Sequence, residues 1–508
     1  MDFGTVIDKI AALIASLGWL ATVVIVVLAV MLFQDLAQRE HAVRRNFPIV
    51  GRLRYFLERQ GEFFRQYFFA HDREEMPFNR ATRGWVYRTA KGVGGTVGFG
   101  STNDLRQPGS ILFVNAPYPV QEEELEPTPP LMLGEHHCEH PFLSRSVVNI
   151  SALSFGAVSA PAVRALSLGA ARAGCWLNTG EGGLSAHHLE GGCDLIMQIG
   201  TAKYGIRDAD GNFSPTRARD LGGQVKAFEI KLSQGAKPGR GGILLASKIT
   251  EEVAAIRGIA AGRDSISPNR HRDIADTDQL LDFVARLRGL TGRPVGVKTA
   301  LGGERFVDEL VEAVLRRGLD DAPDFLAIDG GEGGSGAAPQ ALIDHMGLPI
   351  SEALPIAARA LITSGLKKRT RLVASGKIVT SAHAAWALCV GADFVATARG
   401  FMFALGCIQS LRCHTNTCPT GVTTHNKRLQ RGLVVEEKYR RVANYAQAVN
   451  REIDMIAHAC GVKHARKLRR RHVRIVQEAG RSLPLDVLYP YPGDAADEAE
   501  PVARREVR

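Results

Sequence analysis

Residues 293–334 read RPVGVKTALGGERFVDELVEAVLRRGLDDAPDFLAIDGGEGG, and the rest of the fold can be worked out from this pattern. A short apolar run, PVGVKT, is followed by RFVDELVEAVLRRGL, in which apolar residues recur with the 3.6-residue period of a helix. A second apolar run, DFLAID, then ends in a glycine loop. A strand, a helix and another strand in this order predict a β–α–β unit with parallel strands.

The same alternation extends over residues 147–429. Helical stretches such as APAVRALSLGAARAG (160–174) and SAHAAWALCVG (381–391) separate strand-like runs that end in glycine or a polar residue. The sequence therefore predicts an α/β fold, a (β/α)8 TIM barrel, with its functional residues at the C-terminal ends of the strands. A doubly wound parallel sheet is the alternative. The strand-like runs are VVNISALSFG (147–156), CWLNTGEGG (175–183), QVKAFEIKLS (224–233), TRLVASGKI (370–378) and ADFVATARG (392–400).

The composition of the chain limits its class. Its 508 residues are 45% hydrophobic and 23% charged, which excludes wholesale disorder. The formal net charge is +10, but no helix-turn-helix, zinc-finger or RNA-binding motif accompanies the basic clusters, so we expect no nucleic-acid partner. Eight cysteines are too few for a disulfide scaffold of this length and indicate a reducing compartment.

The amino-terminal region predicts a membrane anchor. Residues 10–33, IAALIASLGWLATVVIVVLAVMLF, carry no charge, and about 20 apolar residues span a bilayer. We expect a retained single-pass transmembrane helix, with a cleaved signal peptide or a buried helix as the alternatives. The positive-inside rule then puts the catalytic part on the cytoplasmic side of the inner (cytoplasmic) membrane. The arginines that set this orientation are Arg39, Arg44, Arg45, Arg52 and Arg54.

Changes in composition and in the pattern of apolar residues along the chain predict five regions. They are a transmembrane anchor (1–34), an N-terminal wrapping and helical region (35–145), the barrel (146–430), a C-terminal helical extension (431–492) and a disordered tail (493–508). Within the second region, RYFLERQGEFFRQYFF has the pattern of an amphipathic helix. Such a helix either packs on the main domain or lies on the membrane surface.

Three cysteines lie close together in the stretch CIQSLRCHTNTCP. Cys407, Cys413 and Cys418 can converge on one centre, and thiolates are the usual ligands of iron–sulfur clusters. Three local thiolates suit a three-iron cluster, whereas a four-iron cluster would need a distant ligand such as Cys389. A zinc site that includes His414 is a further alternative.

Several strand ends carry glycine loops or lysines. Residues 331–336 formally match G-x-G-x-x-G, but no clean helix and terminal acid follow, so we interpret the match as a loop that lets the backbone approach a flat ring or a phosphate. Ser375-Gly376-Lys377 and Ala398-Arg399-Gly400 follow late strands, where barrels commonly bind phosphate. Lysines also end two strand runs, in IKLSQGAKPGRGG (230–242) and GVKTA (296–300).

Taken together, these segments resemble the FMN-binding synthase domain of glutamate synthase. The resemblance covers roughly residues 147–429 and includes SFGAVS, NTGEGG, QIGTAKYGI, IKLSQGAKPGRGG, ISPNRHRDI, GGSGAAP and CIQSLRCHTNTCPTGV in order. It implies non-covalent FMN and a 3Fe-4S cluster on Cys407, Cys413 and Cys418. It also implies reductive amination: ammonia condenses with 2-oxoglutarate, and hydride transfer from the flavin gives glutamate.

The resemblance assigns roles to individual residues. Glu181 and Lys237 correspond to catalytic residues, and Gln234, Lys237 and Arg257 correspond to residues that bind 2-oxoglutarate. Cationic side chains suit a dicarboxylate. The residues expected around FMN are Ser154, Gln198, Lys298, Gly333, Gly334, Gly336, Gly376, Arg399 and Gly400.

The chain departs from the family pattern at identifiable points. Met1-Asp2 leads into an apolar helix instead of a glutaminase nucleophile, so we expect ammonia to be free or to come from a separate glutaminase. Arg240 replaces a usual acid and Ile243 a usual glutamine, which leaves the exact substrate open. The alternatives are an N-methylglutamate synthase-like enzyme on another amine or keto acid, and a membrane-tethered electron-transfer subunit. The electron donor, a ferredoxin, a quinone or a flavoprotein subunit, is not specified by the sequence.

Overall fold

The computed structural model describes residues 3–492, so the predicted tail of 493–508 lies outside the described residues. The chain divides into two compact units, one ending at Ala81 and the other beginning at Thr82. The first unit contains the helices Phe3–Ala37, Ala42–Asn46 and Val50–Phe64, followed by a π-helical turn, Arg65–Phe69. Its first helix is exposed, and it is long and apolar enough to cross a membrane by length and composition.

The second unit is built on a closed barrel of eight parallel strands. Each strand pairs with the next along the chain, and the barrel closes where Val395 of the last strand lies opposite Val148 of the first. Closure confirms the predicted (β/α)8 barrel and excludes the doubly wound sheet. The strands are β1 (Val148–Ile150), β2 (Leu177–Asn178), β3 (Leu195–Ile199), β4 (Ala227–Lys231), β5 (Val295–Thr299), β6 (Phe325–Asp329), β7 (Arg371–Ser375) and β8 (Phe394–Thr397).

The barrel strands are buried along almost their whole length, as expected for parallel strands covered by helices. Aromatic rings fill one end of the core, where Trp176 packs edge-on against Phe394 with ring centroids 4.9 Å apart. Gly296 on β5 makes room for a neighbouring ring, because an added Cβ would lie 2.3 Å from Phe325. The Phe325 ring of β6 therefore fills the space that the absent side chain of Gly296 leaves on β5, and this packing fixes the spacing of the two strands.

Helices follow the strands, and their ends match the capping residues. Ser159, Asp276 and Thr380 accept hydrogen bonds from backbone N–H groups at helix starts, and Gly174, Gly258 and Gly292 end helices in the left-handed conformation. The helices of the second unit are Ala160–Ala173, Ala186–Leu189, Pro215–Gly222, Glu251–Arg257, Thr277–Thr291, Arg305–Arg317, Gln340–His345, Ile350–Thr363, Ser381–Val390, Arg399–Leu405, Lys427–Gln430, Val435–Ala459 and Leu485–Leu488; Arg80–Ala90 crosses the division between the units.

Short antiparallel strands complete the second unit. Ile111–Phe113 pairs with Val473–Val476, which in turn pairs with Ser482–Pro484. The extension predicted as helical over 431–492 is thus helical mainly up to Ala459, because the β-branched run VRIV favours an extended strand. Two further antiparallel pairs join Leu131–Leu133 to Phe142–Ser144 and Ile243–Leu244 to Ser265–Ile266.

The helices Ala160–Ala173 and Val435–Ala459 pack at very short range, and this contact can be tested. An added Cβ at Gly169 would lie 2.4 Å from Val442 Cγ1 and 2.8 Å from the Tyr439 carbonyl oxygen. We expect Gly169→Ala to destabilise the fold by about 1–3 kcal/mol despite its gain in helix propensity. Gly289→Ala is the matched control, because open space surrounds this helical glycine, and it should stabilise by up to about 1 kcal/mol. Thermal unfolding by circular dichroism in detergent measures both, and equal stability of the two variants would contradict the rigid contact.

Candidate functional site

A pocket opens at the C-terminal ends of the barrel strands. Its lining residues stand at or just after the ends of the strands β1, β3, β4, β5, β6, β7 and β8. Four lining side chains are cationic and one is a carboxylate, so the pocket suits an anionic ligand. The charged residues are Lys231, Lys298, Lys377, Arg399 and Asp329; the others are Ser151, Ala152, Gln198, Gln234, Gly334, Ser375, Gly376, Val379, Thr397 and Ala398.

The structure brings five of the nine predicted flavin-site residues to this pocket: Gln198, Lys298, Gly334, Gly376 and Arg399. The other four lie outside its lining. The backbone of Ser154 packs over Gly180, and Gly333 packs against Asp329. Gly400 lies against the Tyr445 hydroxyl, 2.1 Å from where a Cβ would be, so helix packing explains this glycine. Gly336 has open space around it.

The loops after β7 and β8 bring two cations together. Lys377 and Gly376 both adopt left-handed backbone conformations, and the Arg399 guanidinium donates a 2.7 Å hydrogen bond to the Glu332 carbonyl. Burial lowers the pKa of Lys377, and the charge of Arg399 lowers it further. Burial also lowers the pKa of Arg399. Two desolvated cations side by side favour an anion such as a phosphate at this end of the pocket.

A second charged cluster surrounds Glu181. Its carboxylate lies 3.1 Å from the Lys231 ammonium. Burial favours the neutral acid, but the charges of Lys231, Lys237 and Arg257 outweigh it and hold the pKa of Glu181 below its ordinary value. Glu181 is therefore an ionised carboxylate at neutral pH, and it compensates part of the positive charge around it.

The two other cations of the cluster are strongly desolvated. Burial lowers the pKa of Lys237 to about 8 against the opposing attraction of Glu181, and the like charges of Lys231, Arg240 and Arg257 act in the same direction as burial. The Arg257 guanidinium lies 5.0 Å from the centre of the Tyr204 ring. Its Nε is buried without a hydrogen-bond partner among the described residues, so it has a donor to offer to a ligand.

Glycines leave the space that Glu181 occupies. An added Cβ at Gly200 would lie 2.7 Å from the carboxylate, and one at Gly242 would lie 2.6 Å from it. Gly182 approaches the Arg257 guanidinium in the same way, at 3.2 Å. At each of these three glycines a side chain would enter the charged cluster.

Gln234 connects the cluster to the cationic pocket. Its amide oxygen accepts a short hydrogen bond from Lys231, and its amide nitrogen donates to the Gly334 carbonyl at 3.1 Å. Lys231 lines the pocket and also pairs with Glu181, so the two sets of residues form one continuous site. The predicted substrate residues Gln234, Lys237 and Arg257 are thus gathered around Glu181.

Several pocket residues are not among the nine expected around FMN. Ser375 and Lys377 belong to a loop that the sequence already suggests for phosphate, Lys231 ends a strand run without an assigned role, and Asp329 and Thr397 are new. Asp329 accepts a 2.9 Å hydrogen bond from the Gly235 backbone and holds that loop in place. Asp329 and Thr397 each end a barrel strand, and this position is the signal that would have found them.

The three clustered cysteines lie on the loop after the helix Arg399–Leu405. Left-handed backbone at Gln409, Leu411 and Asn416 coils this loop. The Tyr87 hydroxyl donates to the Cys407 carbonyl at 2.6 Å, and the buried Lys248 ammonium donates to the Cys413 carbonyl at 3.1 Å. The loop backbone is therefore held from two sides, and a cation lies close to the thiols.

Other potential metal ligands lie apart from these three cysteines. Within residues 3–492, one group of ligand atoms lies within 4.8 Å of one another, and it belongs to His137, Cys138 and Asp324. Cys389 is buried close to Cys460, and His414 is exposed.

The His137, Cys138 and Asp324 group is an ion-pair cluster at the start of β6. Arg369 donates to His137 Nδ1 at 2.9 Å, which leaves the ring proton on Nε2, 3.0 Å from Asp324. Arg288 pairs with the same carboxylate at 3.1 Å. Burial raises the pKa of the Cys138 thiol to about 12. Arg288, His137 and Cys138 thus surround one carboxylate, and this group joins distant elements of the fold.

The chain was compared with known proteins. The family model described as the conserved region in glutamate synthase matches residues 115–463. The glutamate synthase large subunit-like protein YerD of Bacillus subtilis strain 168 is 40% identical over 94% of this chain and 98% of its own length. An archaeal-type glutamate synthase [NADPH] of Thermotoga neapolitana is 33% identical over 63% of this chain, which spans 61% of that relative.

Among solved structures, a flavocytochrome b2 with bound sulfite covers 81% of this chain and 88% of its own, at 14% identity and a TM-score of 0.46. The fold is established by the closed barrel of the chain itself. The family rests on the sequence matches, one of which runs over nearly the whole length of both proteins. The chain belongs to the glutamate synthase family.

Proposed function

We propose that this protein is a glutamate synthase-type oxidoreductase that reductively aminates 2-oxoglutarate to glutamate with FMN. The observation that carries the proposal is the buried cluster of Glu181, Lys231, Lys237 and Arg257, which Gln234 connects to a cationic pocket at the strand ends. Binding of a dicarboxylate requires cationic side chains, and binding of FMN requires an anion site for its phosphate next to the substrate. The cluster around Glu181 and the cationic pocket provide these two features in one continuous site.

The pocket residues fit FMN in charge. Ser375, Gly376, Lys377 and Arg399 would hold its phosphate, because two desolvated cations meet there. Lys298 is 6% exposed at the end of β5 and would balance the negative charge of the reduced ring. When bound, FMN supplies hydride to a carbon–nitrogen double bond.

Lys237 and Arg257 would bind the two carboxylates of 2-oxoglutarate, Arg257 through the donor that has no partner in the protein. Glu181 is ionised, and it would accept a proton from ammonia as ammonia adds to the keto carbon and pass that proton to the oxygen. Lys231, 3.1 Å from Glu181, would supply the second proton that lets the oxygen leave as water. The product of these two steps is a protonated imine, the carbon–nitrogen double bond that is reduced to glutamate.

A second candidate is a related enzyme that acts on another amine or keto acid, as in an N-methylglutamate synthase-like reaction. Arg240 and Ile243 favour it, because both depart from the family and flank the cluster. Arg240 acts electrostatically on Lys237, and Ile243 follows Gly242, which contacts Glu181. A third candidate is an electron-transfer subunit without its own substrate.

Electrons would reach the flavin through a 3Fe-4S cluster on Cys407, Cys413 and Cys418. Support comes from the coiled loop that carries the three cysteines and from the nearby Lys248. The source would be a ferredoxin, a quinone or a flavoprotein subunit. The helix Phe3–Ala37 would anchor the protein as a single pass in the inner (cytoplasmic) membrane, with the barrel on the cytoplasmic side, because arginines follow the helix.

The reaction is tested by photoreducing the anaerobic full-length protein in detergent and adding 2-oxoglutarate and ammonia. We expect reoxidation of the flavin with stoichiometric formation of glutamate. Arg257→Ala should slow reoxidation by about 100-fold or more, because a buried charged partner of the substrate is lost. Arg207→Ala is the matched control, since Arg207 lies 4.9 Å from the centre of the same Tyr204 ring, and it should change the rate less than about threefold.

Other outcomes of that experiment identify the alternatives. Reoxidation by methylamine in place of ammonia would favour the second candidate. Flavin that stays reduced with every amine, together with unchanged electron transfer in Arg257→Ala, would favour the electron-transfer subunit. Absence of bound flavin would overturn the proposal itself.

Binding of 2-oxoglutarate should depend on the protonation of Lys237. Its ammonium is charged below a pKa of about 8 and is lost as the pH rises, so the Kd of the oxidised protein should rise by up to about tenfold per pH unit above that value. Arg240→Ala removes a like charge and should move this break to higher pH. Equilibrium dialysis measures both, and the same break in Lys237→Met would assign it to another group.

Iron analysis and electron paramagnetic resonance test the cluster. We expect about three iron atoms per chain in the full-length protein. Cys413→Ser should lose most of this iron and the cluster signal, whereas Cys389→Ser and Cys460→Ser should retain both. Loss of iron in Cys389→Ser would instead favour the four-iron cluster, and zinc in place of iron would favour the zinc site.

A further inference from the structure

A buried carboxylate fixes the turn after the first helix. The side chain of Asp35 is fully buried and pairs with Arg44 at 2.6 Å and with Arg52 at 2.8 Å. It also accepts a 2.9 Å hydrogen bond from the backbone of Ile49, a residue with left-handed backbone. Because a buried charge is costly without partners, these contacts hold the turn in one conformation.

The same contacts set where the next helix begins. Arg52 lies in the first turn of Val50–Phe64 and also donates to the Met31 carbonyl at 3.2 Å and to Gln34 Oε1 at 3.0 Å. Gly51 comes so close to the Val43 carbonyl that an added Cβ would lie 2.8 Å from it. The start of the second helix is therefore fixed beside the C-terminal end of the apolar helix.

The second helix has one continuous apolar face. At 100° per residue, six large apolar side chains of Val50–Phe64 fall within roughly half of the helix circumference, whereas Tyr55 lies on the opposite side. Tyr67, Phe68 and Phe69 follow in the π-helical turn Arg65–Phe69. The opposite face carries charged residues of both signs. The apolar side chains are all exposed: Val50, Leu53, Phe56, Leu57, Phe63, Phe64, Tyr67 and Phe68. The charged residues are Arg54, Glu58, Arg59, Glu62 and Arg65.

A contiguous exposed face of eight large apolar residues is unfavourable in water. Five of them are aromatic, and aromatic side chains favour the headgroup level of a bilayer. Arginines at the edge of this face suit anionic lipid headgroups. The environment that shields this apolar face must also lie beside the C-terminal end of the first helix, because the Asp35–Arg52 ion pair joins the first helix to the second.

We propose that residues 50–68 form an interfacial helix that lies in the cytoplasmic leaflet of the membrane crossed by the first helix. The inference rests on the membrane-spanning part of the proposed function and extends it. Its apolar face enters the acyl boundary, and its charged face points to water. Asp35 acts as the clamp that holds the two helices at a fixed angle.

The test uses the full-length protein in membrane vesicles that contain anionic lipid. Benzoyl-phenylalanine is introduced at Leu57 or Phe64 on the apolar face, at Arg59 or Glu62 on the charged face, and at Leu20 in the first helix. After illumination, mass spectrometry measures lipid adducts. We expect roughly tenfold more lipid adduct at Leu57 and Phe64 than at Arg59 and Glu62.

The outcomes separate the two proposals. Lipid adducts at Leu20 together with protein cross-links at Leu57 and Phe64, to this chain or to a second copy, would overturn the interfacial helix alone. Absence of lipid adducts at Leu20 would overturn the membrane-spanning helix. Asp35→Asn should reduce the ratio between the two faces severalfold without changing Leu20. An unchanged ratio would show that Asp35 does not clamp the helix.

Discussion

The side chains of Lys231, Lys237 and Arg257 carry three positive charges into a buried space, and Glu181 is the carboxylate that compensates them. Removing such charges from water costs several kcal/mol each unless they are paired. The surrounding backbone is shaped accordingly, with glycine at positions 200 and 242, where a Cβ would enter the carboxylate. The register of β4 matters equally, because a slip of one residue would turn Lys231 from the barrel interior towards the helices.

The barrel could be predicted from the sequence because the sequence signals that specify its strands and helices are local. Apolar runs, helical periodicity and capping residues such as Ser159 and Gly174 each act within a few residues of their own position. Lys298 and Arg399 line the pocket, and that position could be predicted for the same reason, since a polar residue at a strand end needs only the strand to be recognised. The strands beyond Ala459 are harder to predict from the sequence, because Val473–Val476 pairs with Ile111–Phe113, which lies more than 300 residues away in the chain.

The remaining features of the site depend on contacts between distant segments. Gly400 resembled a cofactor glycine, but it is required by Tyr445 on a different helix. The pairing of Lys231 with Glu181 joins the end of β4 to the loop after β2. Cys138 likewise contacts Asp324, which pairs with Arg288 from another part of the chain. Such pairings follow from closure of the barrel, and a linear pattern does not contain them.

Gln234 links the two halves of the site, which are the cationic pocket and the charged cluster around Glu181. One amide group bonds to Lys231 on one side and to the Gly334 carbonyl on the other, so its orientation is determined by both. A molecule that moves the Gly334 loop changes the hydrogen bonding of Lys231, and through it the charge balance at Glu181. By thermodynamic linkage the effect is reciprocal: occupancy of either half alters the affinity of the other by the same factor. Ligands bound in both halves of the proposed site would therefore be coupled to the extent that they change the hydrogen bonds of this one amide.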